Sequence, residues 1–227
     1  MEILNLMKNI GPGIYGLTGG AGAGKTTLAK NLKSFCDEIS IYSADFRFIG
    51  GSEERKQLLK FKQGLSIESY VDVCNQYNWW DWDAIENDLR ILKSGGNVTI
   101  TKPYDRDKGS FDNEIVIDGS KPYIIYEGNN IGSPAIIELL SLVFILNTRD
   151  DIRFQRLYQK DLDRRTLKEI MARFLITEYS ENLSYRLLEK WYWGKVKVVS
   201  EAGYIFPGYN MGYFASTVDF VPLRMGG

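Results

Sequence analysis

Gly19, Gly20, Ala21, Gly22, Ala23, Gly24, Lys25 and Thr26 carry the spacing G-x-x-x-x-G-K-[ST], with Thr27 directly after. Glycines at these positions let the backbone turn tightly and aim successive N–H groups inward, which suits a phosphate. A helix starting at the end of such a loop adds unpaired N–H groups and the positive end of its dipole. Lys25 is then placed to reach the β- and γ-phosphates of a nucleotide, and the Thr26 hydroxyl to ligate Mg²⁺. A flexible Gly/Ala turn is the plain alternative.

Carboxylates at strand ends form the second set. Asp45 follows a short apolar stretch, where it could deprotonate an acceptor hydroxyl or hold a metal-bound water, or simply cap a turn. Glu127 ends the apolar run Tyr123-Ile124-Ile125-Tyr126 and is a candidate to organise a metal, or a structural residue. Arg153, Arg156 and Lys160 share one helical face, with Arg164 and Arg165 in the bend beyond. That basic face would offset charge on a transferring phosphoryl group, or would be an ordinary solvated face. Trp79, Trp80 and Trp82 suit either stacking on a planar ligand or core packing.

These groups need elements to hold them. Gly13 to Thr18 reads as a buried strand, and Thr27 to Phe35 as a helix with Leu28, Leu32 and Phe35 on one face. Ile39 to Ser43 is a second strand. Helices are expected at Ser52–Lys62, Ile67–Gln76 and Asp83–Lys93, the last stopped by Gly95-Gly96. Asn97 to Thr101 and Glu114 to Ile117 read as a hairpin with a mobile tip from Asp105 to Asn113. Strands follow at Pro122–Gly128, Leu142–Leu146 and Lys195–Val199, with helices at Asp151–Lys160 and Leu167–Tyr192. Strands alternating with helices predict a three-layer α/β/α fold around a mainly parallel five-stranded sheet. Ligands in such sheets sit at the carboxyl ends of the strands, which singles out Asp45, Glu127 and Asn147. The whole chain, 1–227, reads as a single domain: the hairpin at about 97–118 is an insertion, a lid is expected at about 153–166, and the tail 200–227 takes no assignment.

Composition narrows the chemistry. The chain of 227 residues has a net charge of −1, so no broad basic field favours nucleic acid or membrane. Its longest apolar run, Leu139 to Leu146, is too short to span a bilayer. Met1 to Asn5 lacks the basic start and apolar stretch of a secretion leader, and two cysteines suggest no disulfide framework, so a cytoplasmic location is expected. The sequence contains no histidine, which removes Ser-His-Asp and Cys-His schemes and makes zinc a poor fit. Phosphoryl transfer tolerates that absence, since it rests on positioning, metal and positive charge.

In this order, Gly19 to Thr27, Ser43-Ala44-Asp45-Phe46, Asp83-Ala84-Ile85, Pro103-Tyr104-Asp105, Ile125 to Gly128 and the Arg153–Arg165 segment resemble the uridine kinase group of P-loop kinases, near phosphoribulokinase and pantothenate kinase. The resemblance spans about Gly13 to Val199. It implies ATP- and Mg²⁺-dependent phosphorylation of a hydroxyl on a small-molecule acceptor, most simply a nucleoside. It also implies Asp45 as catalytic base, Glu127 beside Mg²⁺, Asp81 or Asp83 near ribose hydroxyls, Tyr104 and Phe48 on the acceptor side, and Arg153, Arg156 and Arg164 in a lid over ATP. Members of this group often self-associate, so a homo-oligomer is compatible with it. The chain departs from the group where Ala44 precedes Asp45, where Arg47 stands in place of a tyrosine, and where Arg106 follows Asp105 without a pyrimidine-reading histidine. Arg106 there suits an anionic or strongly polar acceptor. A sugar, sugar phosphate or pantothenate-like alcohol is the alternative acceptor, and a nucleotide-dependent switch the alternative class; Asn147 to Asp150 faintly resembles a guanine reader.

Overall fold

In the described residues of the computed structural model (2–50, 79–105, 108, 110–111, 114–176, 185, 188, 190 and 192–205), apolar runs too continuous for a one-sided sheet do form a parallel sheet buried on both faces. Its strands are β1 (Gly13–Thr18), β2 (Ile39–Ser43), β7 (Tyr123–Glu127), β8 (Leu142–Leu146) and β9 (Val196–Val199). The order is β2-β7-β1-β8-β9, every pairing is parallel, and β1 lies at the centre. Alternation along each strand feeds two cores. On one face, Tyr15, Leu17, Ile125 and Phe144 meet Ile3 and Met7 of α1 (Glu2–Ile10) and Leu28 and Leu32 of α2 (Lys25–Phe35). On the other, Ile14, Ile124, Tyr126 and Val143 meet Ile85, Leu89 and Leu92 of α3 (Trp82–Lys93) and Ile136 and Ile137 of α4 (Pro134–Leu139).

The expected hairpin forms as β3 (Val98–Ile100) against β6 (Ile115–Ile117), with Val98 opposite Ile117. β4 (Tyr104–Asp105) pairs antiparallel with β5 (Ser110–Phe111), and the Tyr104 and Phe111 rings meet edge-on with centroids 5.7 Å apart. Helix α3 ends as anticipated, with Gly95 at φ 86° and the Gly96 N–H bonded to the Ile91 carbonyl at 3.0 Å.

Other expectations need correction. Phe35 is 70% exposed, because it is the last residue of α2 and lies beyond the cluster that holds Leu28 and Leu32. Helices α1 and α4 carry no motif and were not anticipated; Ser133 caps α4 by accepting from the Ile136 N–H, with Pro134 at its first turn. The Trp cluster divides: Trp80 is buried in the core, and Trp79 and Trp82 pack against it partly exposed. After β8, α5 (Asp150–Asp161) leads through the charged bend into α6 (Leu167–Ile176). The helices expected at 52–62 and 67–76, and most of the stretch after Ile176, lie outside the described residues, as does Arg106.

Candidate active site

The glycine loop leaves β1 at Thr18 and enters α2 at Lys25, so the loop runs from a central strand into a helix N-terminus. Its shape is set from both sides. Gly22, at φ 80°, lies so close to α5 that a Cβ there would sit 2.5 Å from the Arg153 carbonyl oxygen. Gly24, at φ 100°, is the N-cap of α2. The Ala23 N–H closes the turn on the Gly20 carbonyl at 3.0 Å, and the Thr148 hydroxyl donates to the Ala23 carbonyl at 2.9 Å. Thr148 thereby gives the Asn147–Asp150 stretch a loop-bracing role.

Lys25 is 6% exposed, and its Nζ donates to the carbonyls of Gly19 at 2.6 Å and Gly20 at 3.1 Å. An ammonium held inside the loop is positioned for a phosphate, which is a stronger acceptor than a carbonyl. Thr26 and Thr27 are exposed on the first turn of the helix. The Thr26 hydroxyl lies 3.4 Å from both carboxylate oxygens of Glu127, the last residue of β7. Glu127 is 5% exposed, and Ser43, its register partner on β2, donates to it at 2.7 Å. One hydroxyl beside one oriented carboxylate, with the other positions left to water and phosphate, is the donor set Mg²⁺ accepts in nucleotide sites. Among the described residues no three His, Cys, Asp or Glu side chains group together, and Thr26 and Glu127 could hold the ion with water and phosphate completing its shell.

Asp45 lies one residue past Ala44, on a 3₁₀ turn (Ala44–Arg47) at the end of β2. Ser43 pairs with Glu127 across the sheet, so this turn and the Glu127 carboxylate leave the same edge of adjacent strands. Arg47 closes the turn with a forked ion pair to Asp88 of α3, Nε to one oxygen at 2.7 Å and Nη2 to the other at 2.9 Å. The Tyr42 hydroxyl donates to that same carboxylate at 2.7 Å. Burial and the Asp88 carboxylate push the Tyr42 phenol well above its ordinary pKa, so it remains a donor, and the Asp88 hydrogen bond raises Arg47. Beside the turn, Phe48 packs on Trp80 and Tyr104 with ring centroids 5.2 and 5.3 Å away.

The arginines separate. Arg153 is 3% exposed; its Nε donates to the Ala21 carbonyl at 3.2 Å, it pairs with Asp150 at 2.9 Å and it lies over the Phe174 ring. It braces the loop from behind. Arg156 points to the same loop, 3.5 Å from the Gly22 and Ala23 carbonyls, and pairs with Glu201 at 2.6 Å. Arg164 pairs with the buried Asp161 at 3.6 Å, a carboxylate shared with Arg165 and Arg173. Asp81 caps α3, accepting from the Ala84 N–H at 3.0 Å. The sequence gives Ser43, Tyr42, Asp88 and Thr148 no site role of their own; for Tyr42 and Ser43 the polar end of β2 is the available signal.

Residues 14–179, spanning the loop, both carboxylates and the arginine helix, match the model of the Phosphoribulokinase / Uridine kinase family. The chain belongs to that family. It is 28% identical over 173 residues to a uridine kinase of Borrelia duttonii (strain Ly), covering 72% of this chain and 75% of that one. A uridine kinase of Clostridium novyi (strain NT) is 29% identical over 171 residues, covering 72% and 76%. The phosphoribulokinase structure from Rhodobacter spheroides superposes with a TM-score of 0.57 at 13% identity, over 83% of this chain and 70% of that one, a likeness of fold. As a phosphoribulokinase/uridine kinase family member, the protein is a P-loop kinase that acts on a small substrate, a phosphotransferase with a hydroxyl acceptor.

Proposed function

We propose that this kinase transfers the γ-phosphate of ATP to a hydroxyl of a nucleoside, with uridine the first candidate. The observation that carries the reading is the Thr26 hydroxyl held 3.4 Å from the Glu127 carboxylate, which joins the phosphate loop to the strand end beside Asp45. In this reading the loop amides from Gly19 to Thr27 bind the phosphates. Lys25 exchanges its loop carbonyls for β- and γ-oxygens. Thr26 and Glu127 hold Mg²⁺, which supplies charge neutralisation of the triphosphate. Asp45 orients the acceptor hydroxyl and takes its proton. Arg156 and Arg164 add positive charge from α5 and the bend after it. Tyr104 and Phe48, buried beside the turn, back the acceptor side, and Arg106 is assigned to a polar or anionic acceptor group from its sequence position alone. The domain limits stay as read from the sequence: one kinase domain over 1–227, with a hairpin insertion at about 97–118, a lid at about 153–166 and the tail 200–227 unassigned.

The relatives named uridine kinase support the nucleoside. The absence of histidine favours a second reading, in which the acceptor is another small alcohol, such as a sugar, a sugar phosphate or a pantothenate-like compound. ADP release from Mg·ATP, screened over nucleosides, sugars, sugar phosphates and vitamin precursors with the product weighed by mass spectrometry, decides between them. Turnover with uridine and a product heavier by one phosphate supports the first reading. Turnover confined to another acceptor overturns it in favour of the second. ADP release that no acceptor raises above hydrolysis overturns both.

A further inference from the structure

The ion pair between Arg47 and Asp88 is an expensive way to join a turn to a helix. Asp88 is 3% exposed, and its carboxylate takes three hydrogen bonds, two from Arg47 and one from Tyr42. Apolar residues of similar volume usually hold such a place as well or better, since a buried pair must first lose its water. What an apolar contact lacks is direction. The arginine fork is planar and rigid, and a bidentate grip fixes both its position and its angle.

The location gives that direction a use. Tyr42 is the second-last residue of β2, Arg47 the last of the 3₁₀ turn, and Asp88 lies on α3. Asp45 lies on the backbone between the two residues that grip Asp88. A four-residue 3₁₀ turn is a weak element by itself. Here its exit is also stitched down: the Asp81 N–H donates to the Arg47 carbonyl at 2.9 Å, the Phe48 N–H to the Asp45 carbonyl at 3.2 Å and the Ile49 N–H to the Trp79 carbonyl at 2.7 Å. Among the described residues β2 has β7 as its one neighbour in the sheet, and the turn is supported from the side by α3 and by Tyr104 of β4 packing on Phe48.

We propose that the Tyr42–Asp88–Arg47 network is a positioning device that sets the aim of Asp45 at the acceptor hydroxyl, acting through the turn and touching neither nucleotide nor acceptor. The inference rests on Asp45 as the base. A base displaced by about an ångström loses roughly ten- to a hundredfold in rate, while a nucleotide bound by the glycine loop is unaffected.

The test compares four variants in steady-state ADP release with Mg·ATP and uridine, or with the alcohol that the acceptor screen identifies if uridine is not phosphorylated, together with thermal melting. Asp45→Asn sets the reference: unchanged turnover removes Asp45 from the chemistry and this inference with it. Arg47→Lys keeps the charge and loses the fork. It is expected to keep most of the melting temperature, lower kcat by roughly tenfold and leave the KM for ATP within about twofold. Arg47→Met alone strands a buried carboxylate and is expected to melt early. Arg47→Met combined with Asp88→Leu removes the stranded charge; it is expected to recover the melting temperature while kcat stays low. If the double variant regains both stability and kcat, or Arg47→Lys is fully active while Asp45→Asn is not, the network is structural only and the inference fails with the Asp45 reading intact. If the double variant does not fold, Arg47→Lys decides alone.

Discussion

Lys25 turns its ammonium into the loop it belongs to, at 2.6 and 3.1 Å from two carbonyls, which makes it a charge pre-placed for the reaction. Lys25→Ala is expected to lower kcat by on the order of a hundredfold or more while the melting temperature changes little, measured by coupled ADP release. Asp45→Asn is expected to lower kcat by roughly 10²–10⁴ with ATP affinity retained, read by calorimetric titration beside the rate assay. Ser43→Ala leaves Glu127 without its 2.7 Å donor and is expected to raise the Mg²⁺ concentration for half-maximal rate by about tenfold. The loop was legible because all its chemistry lies in eight consecutive residues. Ser43 was not, because its partner is 84 residues away and only strand register brings the two together. Asp88 was hidden for the same reason: on α3 it reads as a polar position, and only the fold supplies Tyr42 and Arg47.

At the scale of elements, α3 does two jobs from one buried face. Ile85, Leu89 and Leu92 bury themselves against the sheet, and Asp88 reaches the turn after β2. Leu89→Ala is expected to cost about 2–5 kcal/mol, measured by urea unfolding, with the kcat of the remaining folded fraction unchanged. The strands and α3 were readable from period and caps. Phe35 misled because periodicity assigns a residue to a face without saying where the sheet beneath it ends. Helix α1 escaped because its nine residues are shorter than the window over which helical periodicity shows, although Ile3 and Met7 are fully buried in one of the two cores. Arg153 shows the same limit in reverse. Its spacing placed it on a basic face, yet the close approach of α5 to Gly22 buries it against the Ala21 carbonyl.

For the whole molecule, buried tyrosines set the alkaline limit. The Tyr15 hydroxyl shares its proton between the carbonyls of Gly11 at 2.5 Å and Met7 at 3.1 Å, tying α1 to the central strand. Burial first, and Tyr123 second, push its pKa up to about 12. In the unfolded chain the phenol ionises near 10, so its contribution is whole below that pH and is lost as pH rises toward 12. Tyr42 is raised in the same direction. The urea midpoint is expected to hold up to about pH 10 and fall steeply between about 10 and 12, a fall that Tyr15→Phe makes shallower.

The strand order carries a consequence for how this chain comes off the ribosome. Each pairing in the main sheet includes β7, β8 or β9, and β7 begins only at Tyr123. Until β7 has emerged, β1 and β2 lack the partners they have in the described sheet, and the phosphate loop has no wall behind it. During that interval two apolar segments with bare edges wait in the open, a natural target for a holding chaperone and a weak point for self-association of unfinished chains.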